Sequence, residues 1–445
     1  MLPEEIRKQI FDILKLEVVP AMGCTEPGAV ALCVAKACEV LGREPETIDI
    51  KLSKNVFKNA MGVGIPGTGM IGLPIAVAMA VVHGRTERGL EVLAQQPDEV
   101  EDAKRWLANN GGRINVGVKE TADKLYIETV VTAGSDRAVA VISHRHNNFV
   151  FVCRNNDVIL DRKQGLFQVR EEDTNPDAEN RQQLELTARM VYDFATTTPL
   201  EELEFMRETV RLNTAASEAG LSGMGLHTGK ILMEQSSGDI VHTVVARTAA
   251  ASDARMDGCT LPVYSNSGSG NQGITCTLPP YYYGTLKGCT DEQILRSVVM
   301  SHLMSIYIKR GIGRLSALCG IVNATMGVAA SLTYLEANCF AAAENNPFDT
   351  ERCYQHVCFS MKNMINTIAG MVCDGAKPSC ALKMSVGLYS AFVCAELAVH
   401  DRVVDRTDGL SESDIDCSIR NLGRLGKEGM SQTDDCILDI MTHRN

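Results

Sequence analysis

The sequence predicts an α+β chain: a mostly helical, discontinuous domain with an α/β segment inserted into it. Three observations predict this. β-Branched, partly alternating runs are confined to residues 47–160. Apolar residues at helical spacing dominate on either side of them. No strand pattern interrupts the helical character beyond Pro176. The N-terminal helices have no sheet of their own and are therefore expected to pack on the C-terminal bundle. The boundaries follow as 1–46 for those helices, 47–175 for the α+β segment with its glycine-rich loop, and 176–445 for the helical domain.

In chain order, residues 3–19 carry Ile6, Ile10, Ile13, Leu14 and Val18 at helix spacing, and Pro20 stops that helix. A second helix is expected from Thr25, with Pro27 in its first turn, to Leu41. TIDIKL, RINVGV, LYIETVVTA, RAVAVIS and NFVFVC read as strands, and IGLPIAVAMAVVHG and PDEVEDAKRWLANN as helices between them. Residues 176–221 give two or three amphipathic helices. Beyond the small polar loop 265–273, helices are expected over 290–310, 313–336 and 350–372, with 336–350 as a surface excursion. Gly, Ala and Ser between 311 and 333 would let backbones approach closely.

A net charge of -12 without any Lys/Arg run argues against a nucleic-acid partner. No apolar stretch reads as a membrane span, and the N-terminus has no signal-peptide core, so a cytoplasmic protein is expected. Sixteen cysteines spread through a long chain are expected to be reduced. Cys33, Cys38, Cys339, Cys353, Cys358 and Cys394 lie in apolar helical context and read as core. The histidines are isolated except for His144 and His146 on a strand-like run, which argues against a zinc hydrolase. Nothing signals pyridoxal phosphate.

Four motifs carry candidate chemistry. In AMGCTEPGAVAL, Cys24 immediately precedes a helix start, where the positive end of the helix favours thiolate; a buried cysteine beside an ordinary Thr/Pro start is the alternative. SKNVFKNAMGVGIPGTGMIG follows a strand and offers Ser53, Asn55, Lys58 and Asn59 with glycine-rich backbone, suited to a small carboxylate or simply to a β-turn. PVYSNSGSGNQGITC offers Ser265, Asn266, Ser267 and Asn271, as a ligand loop or a linker. Finally, Cys319 in LSALCGIV and Cys373 and Cys380 in GMVCDGAKPSCALK are three thiols on two turns. They could hold an iron–sulfur cube by three corners and leave one iron open, or be buried free thiols.

In that order, GCTEPGAVAL, SKNVFKNAMGVGIPGTG, SNSGSGNQGI, ALCG and GMVCDGAKPSCALK resemble the L-cysteine desulfidase family, which is related to the iron–sulfur L-serine dehydratases. The resemblance spans roughly residues 5–440. It implies a [4Fe–4S] cluster with one iron not ligated by cysteine, held by Cys319, Cys373 and Cys380. It also implies breakdown of L-cysteine to pyruvate, ammonia and sulfide. Cys24 matches the family's candidate proton acceptor or occasional fourth cluster contact. Two departures stand out: Ile321 occupies a position that is often cysteine, and the loop between Cys319 and Cys373 is expanded by 336–350.

The expected reaction is a non-redox β-elimination on a small-molecule substrate, L-cysteine, with Cys24 as base. Ser53, Asn55, Lys58 and Asn59 would hold the substrate carboxylate, and Ser265, Asn266, Ser267 and Asn271 would close the site. No nucleic acid or membrane partner is expected, and homo-oligomerisation is left open. The rivals are dehydration of L-serine at the same open iron and a non-catalytic protein whose three thiols hold zinc.

Overall fold

The computed structural model describes residues 2–23, 25–121, 123, 125–162, 184–313 and 316–442. The first helix, α1 (Glu4–Glu17), buries Ile10 and Leu14 in a helical core. The second, α2 (Thr25–Leu41), takes a different partner. Its buried face, from Ala29 to Leu41, fills a second core against the sheet. Pairing both N-terminal helices with the C-terminal bundle is therefore corrected for α2. The helix is buried along most of its length, and the sheet supplies the apolar face that covers it.

That sheet has six strands: β1 (Thr47–Leu52), β2 (Ile114–Val118), β3 (Tyr126–Ala133), β4 (Asp136–Ser143), β5 (Phe149–Arg154) and β6 (Asp157–Asp161), in the order β2-β1-β3-β4-β5-β6. Only the β1–β2 pair is parallel; the remaining pairs are antiparallel. Ile127, Thr129, Val131 and Ala133 alternate inward along β3, the period-two pattern of a strand with one covered face. Helices α3 (Lys54–Ala60), α4 (Leu73–His83) and α5 (Pro97–Asn110) lie between these strands in the sequence. His144 sits in the turn after β4 at φ 66°, not on a strand.

The helical core is built from α6 (Ala188–Thr197), α7 (Arg207–Leu221), α8 (Thr228–Gln235), α9 (Ile240–Met256), α10 (Gly270–Lys287), α11 (Asp291–Ile312), α12 (Gly320–Ala343), α13 (Thr350–Ile368), α14 (Cys380–Val399) and α15 (Ile415–Arg424); α16 (Thr433–Thr442) follows. Every residue of α12 from Ile321 to Glu336 is buried, so this helix runs through the middle. A Cβ at Gly327 would lie 2.3 Å from the Ser301 carbonyl oxygen, which is how closely α11 and α12 approach. Larger side chains there would force the helices apart and forfeit that packing.

Three expectations change. Residues 316–319 are extended, not helical: Leu318 bridges Val372, and the N–H groups of Cys319 and Cys373 donate to Met371 and Ala317. Backbone donors committed across the chain cannot start a helix. The expected excursion at 336–350 is instead helical to Ala343, an alanine-rich continuation with high helix propensity. The small polar loop also ends early, because α10 starts at Gly270, capped by the Ser269 hydroxyl accepting from Gln272.

Among the described residues, one helix, α14, is long and apolar enough to cross a membrane. It packs inward through Ala381, Met384, Leu388, Ala391 and Ala395 and leaves Leu382, Val386, Val393 and Leu397 exposed.

Candidate active site

Cys319 and Cys373 each follow a residue of the antiparallel Leu318–Val372 bridge, so they flank it diagonally, one on either side. Cys319 stands at the N-cap of α12, and Cys380 is the first residue of α14. Two helix starts and one turn thus deliver three thiols to one place. The Cys319 and Cys373 thiols shift one another in opposite directions. The Cys319 thiol, the charge of Lys58, the Gly375 N–H and the charge of Lys383 pull Cys373 down to about 6, against its burial. Cys319 is correspondingly pushed well up. Burial raises Cys380, with the neighbouring Cys373 adding to it, while Lys383 and Arg255 act in the opposite sense.

The backbone N–H groups of Ile321, Gly375 and Lys377 act on Cys319, Cys373 and Cys380 in the sense that favours thiolate, and the Cys380 thiol donates to the Gly375 carbonyl at 3.7 Å. Amide donors and cations around a set of thiols suit an anionic cluster, whose charge they offset. Among the described residues, no three His, Cys, Asp or Glu side chains already surround one point as metal ligands would. The three cysteines fit a cluster by donor chemistry and surroundings, and their side chains would have to close onto it.

The glycine-rich segment reaches this place from the other end of the chain. Lys58, buried on α3, donates to the Cys373 carbonyl oxygen at 3.1 Å and to Asp434 on α16 at 2.5 Å. A Cβ at Gly375 (φ 98°) would lie 2.2 Å from the Lys58 carbonyl oxygen, and one at Gly62 3.1 Å from the Lys377 side chain. Beyond α3, residues 64–65 and 70–71 form a small hairpin. A Cβ at Gly64 there would be 2.4 Å from the backbone of Asp257, after α9.

Arg255, near the end of α9, lies beneath the loop 265–273. It is 8% exposed, its Nη2 donates to the Gly23 carbonyl at 3.0 Å, and its Nε has no partner. A Cβ at Gly270 would come within 2.2 Å of that Nε, so glycine leaves the guanidinium room. The same loop places Gln272 against Gly320, where a Cβ would be 2.6 Å from Nε2, and Gln272 accepts from Asn323 at 2.7 Å.

The expected substrate residues divide. Lys58 is at the cysteine turn. Ser53 stands at the N-cap position of α3, where its hydroxyl accepts the Tyr126 N–H at 3.1 Å, and Asn59 donates to Glu26 at 2.9 Å. Asn55 is half-buried on α3. Ser265 donates to the Val19 carbonyl at 2.8 Å. Asn266 donates to His302 and Ser267 donates to Asn266, so these three side chains hold the loop. Asn271 is buried beside Ser252 and Met256. Cys24 lies outside the described residues; Gly23 before it is the residue Arg255 holds. Sequence reasoning missed Arg255, Gln272 and Lys383. The available signal for Arg255 was a second arginine, beside Asp253, near the end of the alanine-rich HTVVARTAAASDARM.

The model of the serine dehydratase alpha chain family matches residues 87–439. A UPF0597 protein of Bacteroides thetaiotaomicron is 47% identical over 449 residues, covering 99% of each chain. One of Phocaeicola vulgatus is 47% identical over 453 residues, covering 100% of this chain and 99% of its own. A third, of Oleidesulfovibrio alaskensis, is 40% identical over 442 residues, covering 98% and 97%. With most of its length matched, including the three cysteines and the loop above Arg255, the chain belongs to the serine dehydratase alpha chain family.

Proposed function

We propose that this chain is an iron–sulfur-dependent lyase that removes sulfide from L-cysteine by β-elimination, giving pyruvate and ammonia. One observation carries the reading: Cys319 and Cys373 flank the Leu318–Val372 bridge, Cys380 reaches the Gly375 carbonyl at 3.7 Å, and the Lys58 and Lys383 ammoniums donate to the Cys373 and Val372 carbonyls at 3.1 Å. Cys319, Cys373 and Cys380 would hold a [4Fe–4S] cluster by three corners. When bound, it supplies a Lewis-acidic iron for the departing sulfur.

The chain's own groups supply the rest. Arg255 has an unpartnered Nε and a buried guanidinium, which a substrate carboxylate would satisfy in the planar geometry arginine favours. Gly270 keeps that approach open. Lys58 and Lys383 keep the thiolates charged. A base must take the Cα proton as the Cβ–S bond breaks and the Cα–Cβ double bond forms; the aminoacrylate then tautomerises and hydrolyses to pyruvate and ammonia. Cys24 is the proposed base, on its position at a helix start. Cys24→Ala should then retain iron and lose at least about 10²-fold in turnover; unchanged turnover would remove it from the reaction.

A second reading, loss of water from L-serine on the same residues, is favoured by the description of the matching family. Anaerobic turnover separates the two. Equal amounts of sulfide, pyruvate and ammonia from L-cysteine support the desulfidase. Pyruvate from L-serine without sulfide from L-cysteine supports the dehydratase. Bound zinc with neither activity would overturn both.

A further inference from the structure

Far from the cysteine cradle in the sequence, a second pair of thiols meets. Cys289 follows Gly288, the left-handed residue that ends α10, and its N–H donates to the Gly284 carbonyl at 2.9 Å. Cys339 lies near the C-terminal end of α12. The two Sγ atoms are 3.6 Å apart, sulfur-to-sulfur contact. Both residues are half-buried, so a small molecule can reach them. Core placement, expected of Cys339 from its apolar context, is thus corrected.

The frame around the pair is fixed. Gln293, at the start of α11, donates to Asn338 at 3.1 Å, next to Cys339. Gln293 also closes a capping box with Thr290, immediately after Cys289. Lys287 pairs with Glu336 at 3.3 Å, one turn before Cys339. The hydrogen bond from Cys289 and the charge of Lys287 hold Cys339 down, to about 6, against its burial, and Cys289 is pushed up. Cys339 is therefore the more readily deprotonated of the two. Cys33, Cys38, Cys276 and Cys353, by contrast, are pushed up to about 12 by burial, which suppresses their thiolate forms.

We propose that Cys289 and Cys339 are a reversible dithiol–disulfide site, oxidised by low-molecular-weight disulfides. The Cys339 thiolate attacks one sulfur of such a disulfide, forming a mixed disulfide and releasing one thiolate. The Cys289 thiol then gives up its proton and attacks the Cys339 sulfur, forming the intramolecular bond and releasing the second thiolate. Two electrons pass from the pair to the small disulfide. The sulfurs need to close only to about 2.05 Å. The bond would tie the α10–α11 turn to α12, the helix whose N-cap is Cys319.

The test uses the full chain, anaerobically, with oxidised glutathione as the probe and peptide mass mapping as the readout. Wild type is expected to form a Cys289–Cys339 cross-linked peptide that dithiothreitol reverses. Cys289→Ser should stop at one glutathione on Cys339, and Cys339→Ser should lose nearly all reaction at Cys289. The proposal is overturned if no 289–339 cross-link forms while exposed Cys436 is modified. Equal glutathione adducts on Cys38, Cys339, Cys417 and Cys436 without a cross-link would overturn it too. This outcome is independent of the proposed lyase reaction.

Discussion

The Nζ of Lys58 lies 3.1 Å from the carbonyl oxygen of Cys373, 315 residues later in the chain, and 2.5 Å from the Asp434 carboxylate. One buried ammonium thereby fastens α3 and α16 to the cysteine turn. Lys58→Met would leave the Asp434 carboxylate and the Cys373 carbonyl without their donor. The expected cost is about 2–4 kcal/mol in urea unfolding, with lower iron content. Unchanged stability and iron content would show that Lys58 does not organise this turn.

Gly375→Ala tests the close approach of the same two segments. The residue has φ 98°, and its Cβ would sit 2.2 Å from the Lys58 carbonyl oxygen. Strain and overlap together should cost about 3 kcal/mol or more. Gly112→Ala is the control, since a Cβ there meets nothing within 4 Å. It should change stability by less than about 0.5 kcal/mol. Equal effects at both sites in urea titrations would refute the packing described.

His302 links pH to the loop that covers Arg255. It is fully buried, accepts from Asn266 at Nδ1 and donates from Nε2 to Thr277, and burial lowers it from 6.5 to about 3. Its folded value lies below its unfolded one, so its contribution is complete above pH 6.5 and is lost as pH falls towards 3. At pH 5 it should have cost about 2 kcal/mol relative to pH 7. His302→Gln should flatten the stability profile between pH 7 and 5. An identical slope in the variant would remove His302 as the source.

These same residues show what could be read from the sequence. The bounds of α2 and α5 were legible because a proline in the first turn marks each start. The strand runs were legible from alternation, as in β3. The three cysteines were identifiable by type and spacing, but their shared setting was not. It rests on the Leu318–Val372 bridge, a pairing between segments whose local pattern reads as helix. For Asn266 the polar pattern was visible and its partner was not: His302 lies on another helix, so a residue expected to face substrate is instead a loop anchor. Arg255 went unread because its meaning comes from Gly23, Gly270 and Cys380, three separate segments. Helices α8 and α9 were not expected, nor was α10, whose pattern is broken by Pro279 and Pro280.

Arg255→Lys should preserve the fold and iron content while lowering kcat/KM for the amino-acid substrate by about 10–10²-fold, the worth of one charge-assisted contact. The loss should fall mainly on KM if the guanidinium holds the carboxylate equally in ground and transition states. A variant with full iron and unaltered kcat and KM would take Arg255 out of the substrate site.

The central claim, that Cys319, Cys373 and Cys380 together hold the catalytic cluster, is tested most directly by anaerobic iron and acid-labile sulfide analysis of wild type and the three single Ala variants. Wild type should carry about four irons and four labile sulfides per chain, and each variant should lose cluster and L-cysteine turnover together. A variant that keeps full iron and sulfide, or an active wild type without either, would contradict it.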